Sequence, residues 1–160
     1  MELFASALAQ LTPAAVMQYL PLDEPGRPWV ICTAGPWALT AYAASDEHAE
    51  TDWIQSPEDK IALERLDLFP VGIIVEIKVS IEWRYVVKPI SISMESVWGV
   101  WLDARDDDAS YQHVIDLIKQ LEDSASKDVD VYIGSLIAGA QHAAHVLLAL
   151  EPAYATTVNF

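Results

Sequence analysis

The most regular pattern in the chain is an alternation. From Val71 to Tyr85 the odd positions are Val71, Ile73, Val75, Ile77, Val79, Ile81, Trp83 and Tyr85, and the even positions from Glu76 to Arg84 are Glu76, Lys78, Ser80, Glu82 and Arg84. Successive side chains on a strand point to opposite faces, so this period of two predicts a strand with one buried and one wet face. Trp83 falls on the apolar phase and is expected in the core. A half-wet strand favours an antiparallel sheet over a parallel sheet covered on both sides. Residues 88–94 alternate in the same way through Ile90, Ile92 and Met94, and SVWGVWLDA (96–104) is a third strand candidate. Trp98 and Trp101, three apart, would face opposite sides of a regular strand. Upstream, PWVICTAGPWALTAYAA (28–44) reads as two short strands around Ala34-Gly35-Pro36, a hairpin signal.

The other segments have helical spacing. Residues 2–10 and 13–20 are expected to be helices, the second opened by Thr12 as N-cap and Pro13 in the first turn. Ser56-Pro57-Glu58-Asp59 is a further start signal, followed by Ile61, Leu63, Leu66 and Phe69 on one side. Residues 108–122 are amphipathic through Tyr111, Val114, Ile115, Ile118 and Leu121. LDEPGRP (22–28) and SDEHAETDW (45–53) are expected loops, and SASKD (124–128) an expected turn. These elements predict an α+β fold: an antiparallel sheet of about four to five strands with helices packed mainly on one face. At 160 residues the chain fits one domain, residues 1–160, large enough for a substantial core.

Composition narrows the class. Cys32 is the single cysteine, so no internal disulfide forms and a reducing compartment is expected. Glu2 stands where a secretory signal carries Lys or Arg, and the first basic residue is Arg27, so the expected location is the cytoplasm. The net charge is -15, from 24 acidic and 9 basic residues. Nucleic acid and anionic membranes repel such a chain, whereas a basic protein surface attracts it.

The charge is uneven. Residues 46–59 hold six acids and no base, and residues 103–130 hold nine acids and three bases, so these two segments supply -12 of the -15. Residues 60–102 hold five of each sign. Solvated faces that keep the protein soluble are the plain explanation. The functional one is a docking surface for a basic partner. The candidate partner-binding residues are Asp46, Glu47, Glu50, Asp52, Trp53, Asp103, Asp106, Asp107 and Asp108. Trp53 supplies an aromatic anchor within the acidic loop.

Other chemistries are weaker. Counted from Asp106, an EF-hand would need Gly at Tyr111 and Glu at Leu117, so ARDDDAS (104–110) fits a helix N-terminus rather than a calcium loop. His142 and His145 share a helix side but lack a Cys pair, an HExxH pattern or an evident third ligand, so no metal and no cofactor is expected. His48, among four acids, is expected to favour its charged form. Cys32, within WVICT, reads as a small strand residue rather than a nucleophile. There is no GxSxG, CxxC or Walker motif, and no residue is assigned a catalytic role.

The stretch VYIGSLIAGAQHAAHVLLAL (131–150) has no formal charge over twenty residues. It is long enough to cross a bilayer. Gln141, His142 and His145 at its centre oppose that, and GSLIAG lacks the Lys of a phosphate-binding loop. A largely buried helix is expected. The leading functional expectation is a small acidic, non-enzymatic inhibitor that covers a basic protein surface, one that binds nucleic acid included. Immunity proteins and phage anti-defence (anti-CRISPR) inhibitors share this profile of size and charge, an analogy and not a sequence match. The alternatives are a small enzyme with a His/carboxylate site and a structural subunit of a homo-oligomer that buries a Trp or the terminal helix.

Overall fold

The computed structural model describes residues 3–20, 27–46, 57, 61, 68–103 and 107–155. Two short helices open the chain, α1 (Ala5–Leu8) and α2 (Pro13–Tyr19). The Thr12 hydroxyl accepts a hydrogen bond from the Ala15 N–H at 3.3 Å and caps α2, with Pro13 in the first turn. Four strands follow: β1 (Trp29–Ala34), β2 (Trp37–Ser45), β3 (Leu68–Trp83) and β4 (Val86–Asp103). They form an antiparallel sheet in the order β1-β2-β3-β4. The helix α3 (Asp107–Ala155) completes the α+β fold.

The alternating positions of β3 build the core. Val71, Ile73, Val75 and Ile77 are fully buried, together with Leu39, Ala41 and Ala43 on β2 and Val100 and Leu102 on β4. The helices cover this face with Phe4, Leu8, Val16 and Leu20, and with Val114, Ile115, Ile118, Ala125 and Val129 of α3. On the opposite face Thr40, Ile74 and Glu76 are also buried, so it is not uniformly wet. The β1–β2 hairpin turns at Gly35-Pro36, where Gly35 takes φ +59.

Several sequence expectations need correction. Residues 88–94 and 96–104 are one strand, not two. Trp98-Gly99 forms a bulge opposite Gly72, where the register shifts between Val71↔Val100 and Ile73↔Val97. Gly99 accepts φ +70, so the chain bends and continues instead of turning. The extra residue also resets the alternation. Val97 packs on the core and Val100 and Leu102 lie in it, so Trp98 and Trp101 share the opposite face.

SASKD is helix rather than turn. Ser126 turns its hydroxyl back to donate to Glu122 Oε1 at 2.6 Å, Lys127 pairs with Asp123 at 2.7 Å, and Ala125 is buried. These i to i+4 contacts carry α3 through the segment, giving 49 residues, about 74 Å at the usual helical rise.

The stretch 131–150 is not largely buried. Every residue from Gly134 to Ala149 is exposed. The register explains where the helix leaves the core. Ile77, the last fully buried residue of β3, pairs with Ser93, and the Ser93 hydroxyl donates to Asp128 Oδ2 at 3.0 Å. Ile133 still packs against this core, and beyond it α3 has no core among the described residues beneath it. β3 and β4 likewise run past β2, whose pairing ends at Val79, and Ser80–Glu82 and Arg84–Ser91 are exposed. Ile81, expected in the core by its phase, is therefore on the surface. The Trp83 side chain lies outside the described residues. The expected helix after Ser56 also lies outside them, apart from Pro57 and Ile61, both helical and exposed.

Candidate partner-docking end of the sheet

Sheet register decides which acidic segments are neighbours. β2 ends at Ser45, beside Val71, and the Asp46 N–H donates to the Pro70 carbonyl at 3.2 Å. Across β3, Pro70 aligns with Trp101 and Leu68 with Asp103. The residue after β2 and the last residue of β4 therefore stand at one end of the sheet, about 12 Å apart from strand spacing and rise. α3 starts at Asp107, four residues after Asp103.

Two contacts fix the end. The Ser110 hydroxyl accepts from the Asp103 N–H at 2.9 Å and donates to the Asp103 carbonyl at 3.2 Å, which fastens the first turn of α3 to β4. Asp46 Oδ2 accepts the Gly99 N–H at 2.7 Å, reaching the bulge on β4. A bulge withdraws a backbone group from the ladder, and a carboxylate is a strong substitute acceptor.

The nine candidate residues now separate. Asp46 and Asp103 stand at the sheet end, and both belong to its internal bonding. Asp108 is exposed in the first turn of α3, where a negative charge also suits the helix dipole. Asp107 opens the helix, and its side chain lies outside the described residues. Glu47, Glu50, Asp52, Trp53 and Asp106 lie outside them too, as does His48. The structural role of Asp46 was missed in the sequence reading. Gly99 inside an otherwise good strand was the signal, because an isolated strand glycine marks a bulge whose N–H needs a partner.

The acids of 103–130 do not form one patch. Those beyond Asp108 run away from the sheet end along about 33 Å of α3. Several are engaged: Asp116 accepts from Gln112, Glu122 from Ser126, Asp123 from Lys127 and Asp128 from Ser93. The Lys127 bond and charge hold the Asp123 carboxyl below the usual carboxylate range, and Asp123 holds Lys127 above its own. Both groups are fully exposed, and such pairs contribute little to stability.

The other candidate chemistries are dispersed. His142 and His145 lie on the exposed second half of α3, and among the described residues no three His, Cys, Asp or Glu side chains group as a metal site. Cys32 is partly buried on β1, where burial first and the Glu122 charge second push its thiol above its ordinary value, away from nucleophilic character. Across the opposite sheet face, Lys78 pairs with the buried Glu76 at 2.9 Å, and the Tyr42 hydroxyl donates to the Met94 sulfur at 2.9 Å. Burial, then the Glu76 charge, raise the Tyr42 phenol, with Lys78 opposing. Compared with known proteins, the chain matches no family model, no curated protein sequence and no solved structure.

Proposed function

We propose that this chain is a non-enzymatic binding protein that docks the acidic end of its sheet on a basic protein surface and blocks it. The observation behind the reading is the common origin of the two acidic segments, at Asp46 and at Asp103–Asp107, on one end of one sheet. A field of one sign concentrated there speeds encounter with a basic partner and makes it salt-sensitive. An inhibitor of the immunity-protein or anti-CRISPR type, occupying a surface that otherwise holds nucleic acid, fits this size and charge. The groups that would take part are Asp106, Asp107 and Asp108 with Glu47, Glu50 and Asp52, while the core-facing contacts of α3 belong to Val114, Ile115 and Ile118.

The test begins with affinity purification of the full chain from its native host or that host's competitor, with partners identified by mass spectrometry. Reversing charge at Asp106, Asp107 and Asp108 together is expected to slow association with the recovered partner and flatten its salt dependence. An unchanged association rate and salt slope would eliminate the mechanism.

A further inference from the structure

The second half of α3 leaves an apolar surface open. Leu136, Ile137, Leu147 and Leu148 are each more than half exposed, on a segment with no formal charge from Val131 to Leu150. The helix passes, by length and composition, as one able to cross a bilayer. It is nevertheless two-sided. At 3.6 residues per turn, Ile133, Leu136, Ile137, Ala140, Leu147 and Leu148 fall on one side, and Gly134, Ser135, Gln141, His142 and His145 fall on the other. The apolar side continues, in steps of three and four, the stripe of Val114, Ile118, Ala125 and Val129 that seats the first half of α3 on the sheet. The stripe outlasts the core of its own chain.

We propose that a second copy of this chain covers it, the two 131–149 segments pairing antiparallel along their apolar sides. Charge decides where two copies can meet. Each carries -15 and repels the other, and the uncharged stretch is the surface where contact adds no direct like-charge opposition. A bilayer would surround the helix and place Gln141, His142 and His145 in hydrocarbon, where polar side chains are costly, whereas pairing leaves them in water. The area fits a weak, concentration-dependent pair. Half the surface of a helix about 30 Å long and about 11 Å across is roughly 500 Å² per chain, so a pair hides at most about 1,000 Å². Antiparallel pairing keeps the two acidic sheet ends apart. With Ala140 at the centre, it sets Leu136 and Ile137 of one copy against Ala144 and Ala143 of the other, so large residues meet small ones. The pairing is independent of what the acidic end binds.

Light scattering of the full chain across a concentration series tests it. The expected mass is twice 17.7 kDa. Replacing Leu136 and Leu147 by Glu is expected to give folded monomers with the wild-type circular dichroism, because neither residue is in the core. In a Cys32→Ser background, Ala140→Cys is expected to cross-link into a disulfide dimer on mild oxidation, and Leu147→Cys not to. A monomeric mass at every concentration overturns the proposal, and so does partition of the wild-type chain, but not the double Glu variant, into phosphatidylcholine vesicles. Cross-linking through Leu147→Cys overturns the antiparallel arrangement.

Discussion

The Asp46 carboxylate accepts the Gly99 backbone N–H at 2.7 Å and so ties the end of β2 to the bulge of β4. A charged group that sequence reading assigns to a partner is thus already in use inside the fold. Asp46→Ala removes the acceptor and leaves the bulge N–H to water. Because the site is open to solvent, the expected cost is about 1 kcal/mol, the usual net value of a hydrogen bond. Urea unfolding of the two proteins measures it. A variant as stable as wild type would mean that the bond contributes nothing.

Gly72 lies beneath the Trp98 ring, and a Cβ added at Gly72 would collide with its six-membered edge. Gly72→Ala is expected to destabilise the chain by about 1–3 kcal/mol, the usual range for overpacking. Trp98→Ala in the same chain should recover most of that loss, since the colliding ring is gone, and a double-mutant cycle reports the coupling directly. Additive single effects would show that the ring swings aside without cost.

The sheet was legible in the sequence where neighbours repeat a simple rule. Val71, Ile73, Val75 and Ile77 alternate because one face is covered along that length, and the Gly35-Pro36 turn and the Thr12 cap depend only on local chemistry. The rule failed where it depended on distant chain. Ile81 keeps the apolar phase, but β2 ends its pairing at Val79, so no third strand or core among the described residues lies there. The apolar run after Val131 reads as buried because hydrophobicity reports what a helix needs, not whether its own fold supplies it. Of the candidate site, the acidic character was visible, but the shared sheet end of Asp46 and Asp103 follows from pairing across β3, which composition does not encode. The bulge at Trp98-Gly99 changes the face of the residues before it as far as the second register shift, at Ile92, so one missed glycine misassigned a tryptophan.

Continuity of α3 through residues 124–128 has a direct test. Ser124 is exposed and helical, so Ser124→Pro removes a backbone donor and clashes with the preceding turn. The expected loss is about 3 kcal/mol of stability with reduced helical circular dichroism. Ser124→Ala, by contrast, is expected to stabilise slightly, because Ala is the better helix former. A proline variant with wild-type stability and helicity would mean that the segment is a turn after all.

The Cys32 thiol provides a pH-dependent readout of how β1 and α3 pack. Burial is the main cause of its raised pKa, and the Glu122 carboxylate adds repulsion against the thiolate. At pH 8 an alkylating reagent should therefore modify Cys32 more slowly than a free cysteine, whose thiol titrates near about 8.5. The midpoint of the pH–rate curve should lie above that of the free thiol. Glu122→Gln removes the charge and should shift the midpoint down and speed modification at pH 8, without reaching the free-thiol rate because burial persists. The linked effect on stability has a definite sign. A raised thiol pKa favours the neutral form in the folded chain, so the contribution is complete below the pKa of the unfolded thiol and is lost as pH rises through the folded value. Stability should consequently fall on the alkaline side in wild type and fall less when Cys32→Ser removes the group. A midpoint at or below the free-thiol value would contradict the packing of Cys32 beside Glu122.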